Sequence, residues 1–598
     1  MSVQSASWFV LLAGMLLARP GTLHSAPIPV ELVHESGRWQ MLREGKPYRI
    51  RGAGGDGSLE RLVTAGANTL RTWGADNIRD RLDAAHEAGL AVVVGIWLGH
   101  ERHGFDYTDA DQVAEQYERA RQRILAYRSH PALLMWGIGN EMEGFEAGDN
   151  AAIYSAVNNI ASLAKKLDPY HLTMTVTAEI GGDRVKNINR LCPDIDVHGI
   201  NAYGGIRSLP KRYRQSGGTK PYVVTEFGPP GAWESPATEW HVPIELTSTA
   251  KADHYFKGYR AIAEDEALSL GSFAFLWSWK VEATPTWFGM FLPDGSKLAA
   301  VDAMTDAWGG RAPANRVPRI ETLEVVGDPK RKPGDNVRIR SVLSDPDSDN
   351  LSVDWVLRDE AQMFNTGGDE SPLPPERSGA VLNGDLRGAT IRLPREAGSY
   401  RVYVTVRDGD GGAAVGNLPL QVRGAKPSVT RGGHRLPLVI YEDGPWSPHP
   451  YVPSGYMGDH RAISMDPLYA LEPRSGRHSL RIRLDAERSS WAGVAWQNPP
   501  NDWGELPGGL DLRGASRLTF WARGAHGGEN IKFGLGLIGT ERRYPDSARV
   551  EIGEVTLRTK WRRFVIDLDD ADLSRIKTGF YWVSAAPVEF FLDAVAIE

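Results

Sequence analysis

Between residues 48 and 310 the sequence alternates between short apolar runs and longer amphipathic segments. The runs end in Gly, Asn, Trp or an acid, and in chain order they are YRIRGAGG, NTLRTWGAD, AVVVGIWLGH, LLMWGIGNE, LTMTVTAEI, IDVHGINAYGG, YVVTEFG and SFAFLWSWK. Apolar residues at three- and four-residue spacing predict helices between them, for example over 77–88, 110–127, 151–167 and 250–265. Eight such units predict a (β/α)8 barrel. A doubly wound open sheet is the alternative, but no glycine-rich phosphate loop follows the first run.

The pattern changes after residue 310, as expected for a chain longer than one compact domain. RAPANRVPR is typical of a linker, and the short alternating strands VRIRSVL, LSVDWVL, YRVYVTVRD and LPLQV predict a β-sandwich over 311–423. A third region, 424–598, contains HSLRIRLD, WAGVAW, SRLTFWARG, IKFGLGLI, RRFVIDL and VEFFLDAVAIE. These runs predict a second all-β domain.

The N-terminus predicts a secretory signal over residues 1–26. An apolar core runs from Trp8 to Ala18, and small residues at Ser25 and Ala26 suit a cleavage site, although no Lys or Arg precedes the core. The expected location is therefore outside the cell or in a bacterial periplasm. Since no other apolar run approaches ~18 residues, we expect no membrane segment in the mature protein.

Composition narrows the possible partners and cofactors. The net charge is −7 with no basic run, so nothing favours nucleic acid. The single cysteine, Cys192, excludes an intrachain disulfide and a zinc–thiolate site. His100 and His103 lack a third ligand of suitable spacing, so we expect neither metal nor cofactor. The 19 tryptophans fit either structural roles or stacking on sugar rings.

Two glutamates follow apolar runs at positions where barrel enzymes place their active sites. Asn140 and Glu141 end the fourth run, and Glu226 ends the seventh, 85 residues later. Carboxyl groups on two facing strands are what glycoside hydrolysis needs, one to protonate the departing oxygen and one to attack or activate water. Glu143 is the alternative to Glu141, since it lies two residues further along.

These motifs carry a family resemblance over about residues 50–308. WGIGNE on the fourth strand and TEFG on the seventh resemble the clan A glycoside hydrolases, and the barrel looks closest to the family 2 catalytic domain, with some likeness to fungal β-1,3-glucanosyltransferases. SDPDSDNLSVDWVL and YRVYVTVRDGDGG resemble polycystic-kidney-type and related immunoglobulin-like modules. LDLRGASRLTFWARG with FFLDAVAIE resembles jelly-roll carbohydrate-binding modules. The expected fold is thus multidomain: a TIM barrel over 27–310, an immunoglobulin-like β-sandwich and a β jelly roll.

The resemblance implies a retaining double displacement, with Glu141 as acid/base and Glu226 as nucleophile. The two carboxyl groups would lie ~5–5.5 Å apart, and Asn140 would bind the sugar 2-hydroxyl. Burial would have to raise the pKa of Glu141 above the usual ~4.3.

The resemblance also implies positions for the residues around the two glutamates. Arg71 and Tyr203 would donate to Glu226, although a structural ion pair and ordinary packing are the alternatives for these two residues. Trp277 or Trp279 would form the floor beneath the sugar ring, and the strand period does not distinguish them. Trp73, His100 and the loop around Trp240 are weaker candidates.

The chain also departs from family 2. The β-domains follow the barrel instead of preceding it, and the first strand lacks a histidine often seen there, so Gly54, Gly55 and Asp56 could admit a different substrate.

The leading hypothesis is a secreted retaining β-glycoside hydrolase or transglycosylase acting on a β-linked oligo- or polysaccharide, by analogy a β-glucan. The alternative is a non-catalytic carbohydrate-binding or scaffolding protein with an inactive barrel. The jelly roll could also be only a structural cap, whose Trp446, Trp491, Trp496, Trp503 and Trp582 are core residues.

Overall fold

The computed structural model describes residues 26–101, 104–143, 148, 150–361, 368, 371, 373–423, 436–442, 450–459, 462–485 and 491–598. The predicted signal sequence, apart from its last residue, lies outside these ranges, as do His103 and Trp446. Within the described ranges, every helix is too short or too polar to cross a bilayer.

A small antiparallel sheet precedes the barrel and closes its N-terminal end. It consists of β1 (Val30–Glu35), β2 (Arg38–Arg43) and β3 (Lys46–Pro47). Val30 and Met41 pack with the side chains that fill the lower barrel interior, and the Val30 N–H bonds to the Tyr170 carbonyl at 2.8 Å. This sheet is not predicted from the sequence, because its short strands precede the repeating pattern.

The predicted barrel is confirmed. Eight parallel strands close in sequence order, which excludes the open-sheet alternative. The strands are β4 (Ile50–Gly54), β5 (Thr69–Arg71), β6 (Ala91–Ile96), β7 (Leu133–Ile138), β8 (Leu172–Ala178), β9 (Val197–Asn201), β10 (Tyr222–Phe227) and β11 (Ser269–Phe275). The helices are α1 (Leu59–Thr64), α2 (Arg79–Glu87), α3 (Ala110–Tyr127), α4 (Ala151–Leu167), α5 (Arg184–Leu191), α6 (Leu209–Gln215), α7 (Ser248–Ala263) and α8 (Ala299–Trp308).

Strand periodicity explains how the barrel is packed. Along β6, Ala91 and Val93 face the interior with Met135 and Met174, whereas Val92 and Val94 face the surrounding helices. Such strands are buried on both faces, and for this reason they appear in the sequence as continuous apolar runs. Every residue of β6, β7 and β10 is buried, so the polar groups that end these strands are held on a rigid base.

The second domain is a two-sheet sandwich. Its strands are β12 (Arg319–Val325), β13 (Lys330–Arg331), β14 (Asn336–Ser344), β15 (Ser352–Asp359), β16 (Val381–Asp385), β17 (Gly388–Arg392), β18 (Gly398–Arg407) and β19 (Ala413–Val422). They form sheets of order β12-β14-β17-β16 and β13-β19-β18-β15. A buried polar network joins the sandwich to the barrel, since Asn417 donates to Glu245 at 2.6 Å and Glu245 also pairs with Lys251.

The third domain packs two antiparallel sheets face to face. Its strands are β20 (Leu438–Tyr441), β21 (Val452–Gly458), β22 (Ile463–Tyr469), β23 (Ser479–Leu484), β24 (Ala492–Gln497), β25 (Arg517–Gly524), β26 (Asn530–Leu535), β27 (Val550–Thr556), β28 (Arg562–Asp567), β29 (Thr578–Ser584) and β30 (Val588–Ile597). The sheets have the orders β22-β23-β30-β25-β28, with β20 beside β30, and β21-β24-β29-β26-β27. Trp496 and Trp582 lie in the core between them, whereas Trp491 is exposed and Trp503 half-buried.

Ion pairs join this third domain to helix α3 of the barrel. Arg481 pairs with Glu115 at 2.9 Å, and Arg483 pairs with Asp111 at 2.6 Å. Because α3 follows β6, the domain lies beside the loop that leaves the C-terminal end of that strand.

Candidate active site

The fourth barrel strand, β7, ends in a tight turn that presents Asn140 and Glu141 at the barrel mouth. Gly139 has a φ of +72° and Glu141 a φ of +52°. This left-handed conformation costs a non-glycine residue about 1–2 kcal/mol. The turn is held by a hydrogen bond of 2.9 Å from the Glu141 N–H to the Val176 carbonyl on β8. The strained position leaves the Glu141 side chain half-buried instead of packed in the core.

Glu226 lies on the seventh strand, β10, with its carboxylate surrounded by donors. Arg71 on β5 and the indole N–H of Trp73 both donate to Oε1 at 2.7 Å. The Tyr203 hydroxyl donates to Oε2 at 2.8 Å. The side chains of Arg71 and Glu226 are 3% and 8% exposed, so the ion pair is shielded from solvent. Such an arrangement stabilises a negative charge and fixes the orientation of the carboxylate.

A chain of hydrogen bonds connects Glu226 to Glu141. Arg71 Nη2 donates to Asn140 Oδ1 at 2.7 Å, so a single guanidinium contacts both Glu226 and Asn140. Asn201, the last residue of β9, donates from Nδ2 to Glu141 Oε1 at 2.7 Å and lies 3.3 Å from Asn140 Oδ1. Side chains from four barrel strands or their ends therefore form one connected site.

The orientation of Asn201 is set by its neighbour on β10. The Thr225 hydroxyl donates to Asn201 Oδ1 at 2.7 Å, which leaves the amide N–H groups facing Glu141 and Asn140. Asn201 is not among the site residues predicted from the sequence. The sequence pattern could have identified Asn201, because it is a polar residue at a strand end, as Asn140 is.

The Tyr203 phenol stays protonated and can act as a donor to Glu226. Burial, together with the negative charge of Glu226, raises the pKa of Tyr203 well above its usual range. The predicted contacts of Arg71 and Tyr203 with Glu226 are present in the structure, and the catalytic roles of these two residues stay predictions.

Glu143, the alternative to Glu141, points away from this cluster. It is buried and accepts hydrogen bonds from the Ala178 N–H at 2.7 Å and from Arg184 Nε at 2.9 Å. These contacts tie the loop after β7 to β8 and to the start of α5. Glu143 therefore contacts β8 and α5, whereas Glu141 is the glutamate that bonds to Asn201 in the cluster; a catalytic role for Glu141 stays a prediction.

The prediction for Trp277 needs correction. Its ring is fully buried, packs against Phe291 and Trp308, and donates to the Ser58 carbonyl at 3.0 Å. A ring enclosed in this way leaves no face for a sugar. Trp279 is half-buried and donates to the Pro285 carbonyl at 2.9 Å, so a binding role for Trp279 stays a prediction.

The aromatic residue that β11 delivers to the site is Phe275. The strand ends there, two residues before Trp277. Phe275 meets the rings of Trp73 and Tyr203 edge to face, with centroids 5.8 and 5.9 Å away. The strand predicted from the sequence extends too far, because the apolar run continues past Phe275 into LWSW.

The first strand makes room for Trp73. A Cβ atom on Gly54 would lie 2.7 Å from Trp73 Cη2, so a larger residue there would push the indole away from Glu226.

Asp56 accepts a hydrogen bond from the Ser278 hydroxyl at the rim of the barrel. His100 is buried and stacks on Trp97 with centroids 4.9 Å apart, and a binding role for it stays a prediction.

Comparison with known proteins finds relatives of part of the barrel. Residues 82–235 match the sequence model of the family described as "Glycosyl hydrolases family 2, TIM barrel domain". The segment includes both Glu141 and Glu226. A β-glucuronidase of Streptococcus agalactiae is 25% identical over 230 residues, which are 34% of this chain and 37% of that enzyme.

Two solved β-glucuronidases are among the structural matches. The enzyme of Bacteroides uniformis has 12% identity and a TM-score of 0.38, over 94% of this chain and 67% of that chain. The enzyme of Ruminococcus gnavus has 16% identity and a TM-score of 0.37, over 48% and 53%. The curated relative is matched over little more than a third of its own length. Over residues 82–235, the barrel of this chain is similar to the TIM barrel domain of glycosyl hydrolases family 2.

Proposed function

We propose that this protein is a retaining β-glycoside hydrolase in which Glu226 is the nucleophile and Glu141 the acid/base. The observation that supports this assignment best is the set of three donors on Glu226, from Arg71, Trp73 and Tyr203. A nucleophile must be correctly aimed when substrate arrives, and buried donors on both carboxylate oxygens hold Glu226 in one orientation.

In the first step the Glu226 carboxylate attacks the anomeric carbon, and the bond from that carbon to the leaving oxygen breaks. The protonated Glu141 gives its proton to this oxygen. In the second step the Glu141 carboxylate takes a proton from water, the resulting hydroxide attacks the anomeric carbon, and Glu226 is released. Asn140, held by Arg71 at 2.7 Å, is positioned to bind the sugar 2-hydroxyl. Transfer to a second sugar follows the same scheme with an acceptor hydroxyl in place of water.

The substrate we propose is a β-linked oligo- or polysaccharide, with a β-glucan as the first polymer to test. β-Glucuronides are the competing class, because the curated relative carries the name β-glucuronidase. Two β-domains beyond the barrel support a polymeric substrate, since an anchoring domain raises the local concentration of enzyme on a chain. Secretion, proposed from residues 1–26, is tested by the N-terminal sequence of protein recovered outside the cytoplasm.

The test of the function uses the full chain with p-nitrophenyl β-glucoside, β-glucuronide, β-galactoside and β-mannoside, and with laminarin. We expect turnover of at least one of these, and proton NMR should detect the β-anomer of the product first. Glu226→Gln and Glu141→Gln should each remove turnover, whereas the matched control Glu143→Gln should keep it. Equal turnover by the wild type and both active-site variants would falsify the proposal and favour a non-catalytic carbohydrate-binding protein.

A further inference from the structure

The loop that follows β10 carries an exposed tryptophan close to the nucleophile. Trp233 lies seven residues after Glu226 and is 48% exposed. Among the described residues, Trp233 and Trp491 are the only tryptophans with so much exposed surface. A large apolar side chain exposed beside a cluster of polar catalytic groups is a common sign of a ligand-binding surface.

Two aromatic rings place Trp233 at the barrel mouth. Its ring is perpendicular to that of Tyr203, with centroids 5.8 Å apart, and lies 6.1 Å from that of Phe288. Tyr203 is the residue whose hydroxyl contacts Glu226. One residue, Tyr203, therefore separates the indole from the proposed nucleophile, and the two packed rings restrict how the indole can turn.

The backbone around Trp233 is also held in place. Glu234 Oε2 accepts hydrogen bonds from the Gly204 N–H at 2.9 Å and from the Gly231 N–H at 3.0 Å. These bonds link the loop after β10 to the loop after β9. A Cβ atom on Gly231 would lie 2.4 Å from the indole ring, so glycine permits the ring to fold over this backbone. The exposed ring is thus presented on a fixed support.

We propose that Trp233 is the wall of a saccharide-binding subsite beside Glu226, where it takes the C–H face of a pyranose ring. The inference rests on the proposed hydrolase function. The physical reason is that an aromatic face packs well against the apolar face of a sugar, while the rim of the ring remains free for hydrogen bonds. The indole loses little conformational freedom on binding, because Tyr203 and Phe288 already hold it.

Trp233 is a binding residue in this proposal and takes no part in proton transfer. Its removal should therefore weaken substrate binding and leave the chemical step nearly intact. We expect Trp233→Ala to raise KM about tenfold, equivalent to ~1.4 kcal/mol, with little change in kcat. Trp233→Phe, which keeps an aromatic ring, should recover most of the loss.

The experiment measures kcat and KM on the p-nitrophenyl β-glycoside that the wild type cleaves fastest. It compares Trp233→Ala, Trp233→Phe and the control Tyr170→Ala. Tyr170 is also 48% exposed, but it precedes β8 at the opposite end of the barrel. Calorimetric titration of the same glycoside into Glu141→Gln, with and without Trp233→Ala, reports binding apart from turnover. Thermal unfolding of each variant shows whether the fold is retained.

The outcomes separate this inference from the proposed function. A raised KM and weakened calorimetric binding in Trp233→Ala, rescue by phenylalanine and wild-type kinetics in Tyr170→Ala support the subsite. An unchanged KM and unchanged binding in Trp233→Ala overturn it, while wild-type turnover lost in Glu226→Gln leaves the hydrolase function standing. A loss in Trp233→Ala that is confined to kcat also overturns the proposed subsite. If the wild type cleaves no glycoside of the panel, the function and the subsite fail together.

Discussion

The two glutamates at the barrel mouth have the same side chain but different surroundings. Glu226 as a whole residue is 6% exposed, and its carboxylate contacts a guanidinium, an indole N–H and a phenol hydroxyl. Glu141 is half-buried on a strained turn, and its contact with β9 is the neutral amide of Asn201. A cation thus faces the Glu226 carboxylate, whereas a neutral amide on β9 faces Glu141. This difference in surroundings supports the two different roles proposed for the two glutamates.

The sharpest test of this difference replaces each glutamate by alanine and supplies azide. We expect Glu226→Ala to lose about 10⁴-fold or more in kcat/KM, because the attacking group is gone. Azide should restore turnover by direct displacement and give the α-glycosyl azide. In Glu141→Ala, azide should attack the glycosyl-enzyme and give the β-glycosyl azide. Product NMR decides the assignment, and the opposite pairing of variants and products would exchange the two roles.

Removal of the Tyr203 hydroxyl tests how much this donor contributes to the function of Glu226. Tyr203→Phe keeps the ring packing but loses the hydrogen bond of 2.8 Å to Oε2. A hydrogen bond to a charged group contributes about 1.5–3 kcal/mol, so kcat should fall roughly 10- to 150-fold. KM should change less than kcat, because the ring of residue 203 keeps its packing. A kcat within a few-fold of the wild-type value would show that the Tyr203 hydroxyl does not support the function of Glu226.

An added charge beside Glu141 tests the other half of the comparison. Asn201→Asp replaces the neutral amide 2.7 Å from Glu141 Oε1 by a carboxylate. The new carboxylate cannot donate the hydrogen bond to Glu141 and places a like charge beside it, so kcat/KM should fall further than in Asn201→Ala. Asn201→Ala is the control, since it removes the donor without adding charge. Equal losses of kcat/KM in the two variants would show that the added charge has no effect on Glu141.

The smallest effect on turnover is expected at Glu143. Glu143→Gln should leave kcat/KM within a few-fold of the wild type, because Glu143 points toward Arg184 and the Ala178 N–H. The free energy of unfolding should fall by about 1–3 kcal/mol, since a buried guanidinium loses its charged partner. Denaturant unfolding checks this value, and Glu143→Gln combined with Arg184→Met should recover part of it. A large loss of activity with unchanged stability would reopen the choice between Glu141 and Glu143.

The barrel and the positions of both glutamates were predictable because they depend on local pattern. Apolar runs and helical spacing recur eight times, and the carboxyl ends of all parallel strands meet at one face. Two helix predictions, 110–127 and 151–167, agree with the observed bounds of α3 and α4. Arg71, Asn140 and Tyr203 were reached through the resemblance to clan A, and each takes part in the hydrogen-bonded cluster.

The errors came from contacts between residues distant in sequence. Trp277 looked like a strand-end residue, but β11 ends at Phe275, and the Trp277 ring turns outward to pack against Trp308. Trp73 was only a weak candidate, because nothing in NTLRTWG shows that its indole N–H reaches Glu226, or that Gly54 leaves space for it. The N-terminal sheet was missed because its strands are short and its partners lie at the far end of the barrel.

The amino-acid pattern is sufficient to predict that eight strand–helix units form a barrel and that polar residues follow particular strands. Those properties follow from side-chain period and strand direction, which are local. Three features of the site become visible only in the folded molecule: Glu141 and not Glu143 joins the cluster, Asn201 links the two catalytic candidates, and Trp233 stays exposed beside Tyr203. These outcomes depend on which side chain reaches which neighbour across the barrel mouth. That choice is set by backbone turns and packing between strands far apart in the chain, so no local pattern encodes it.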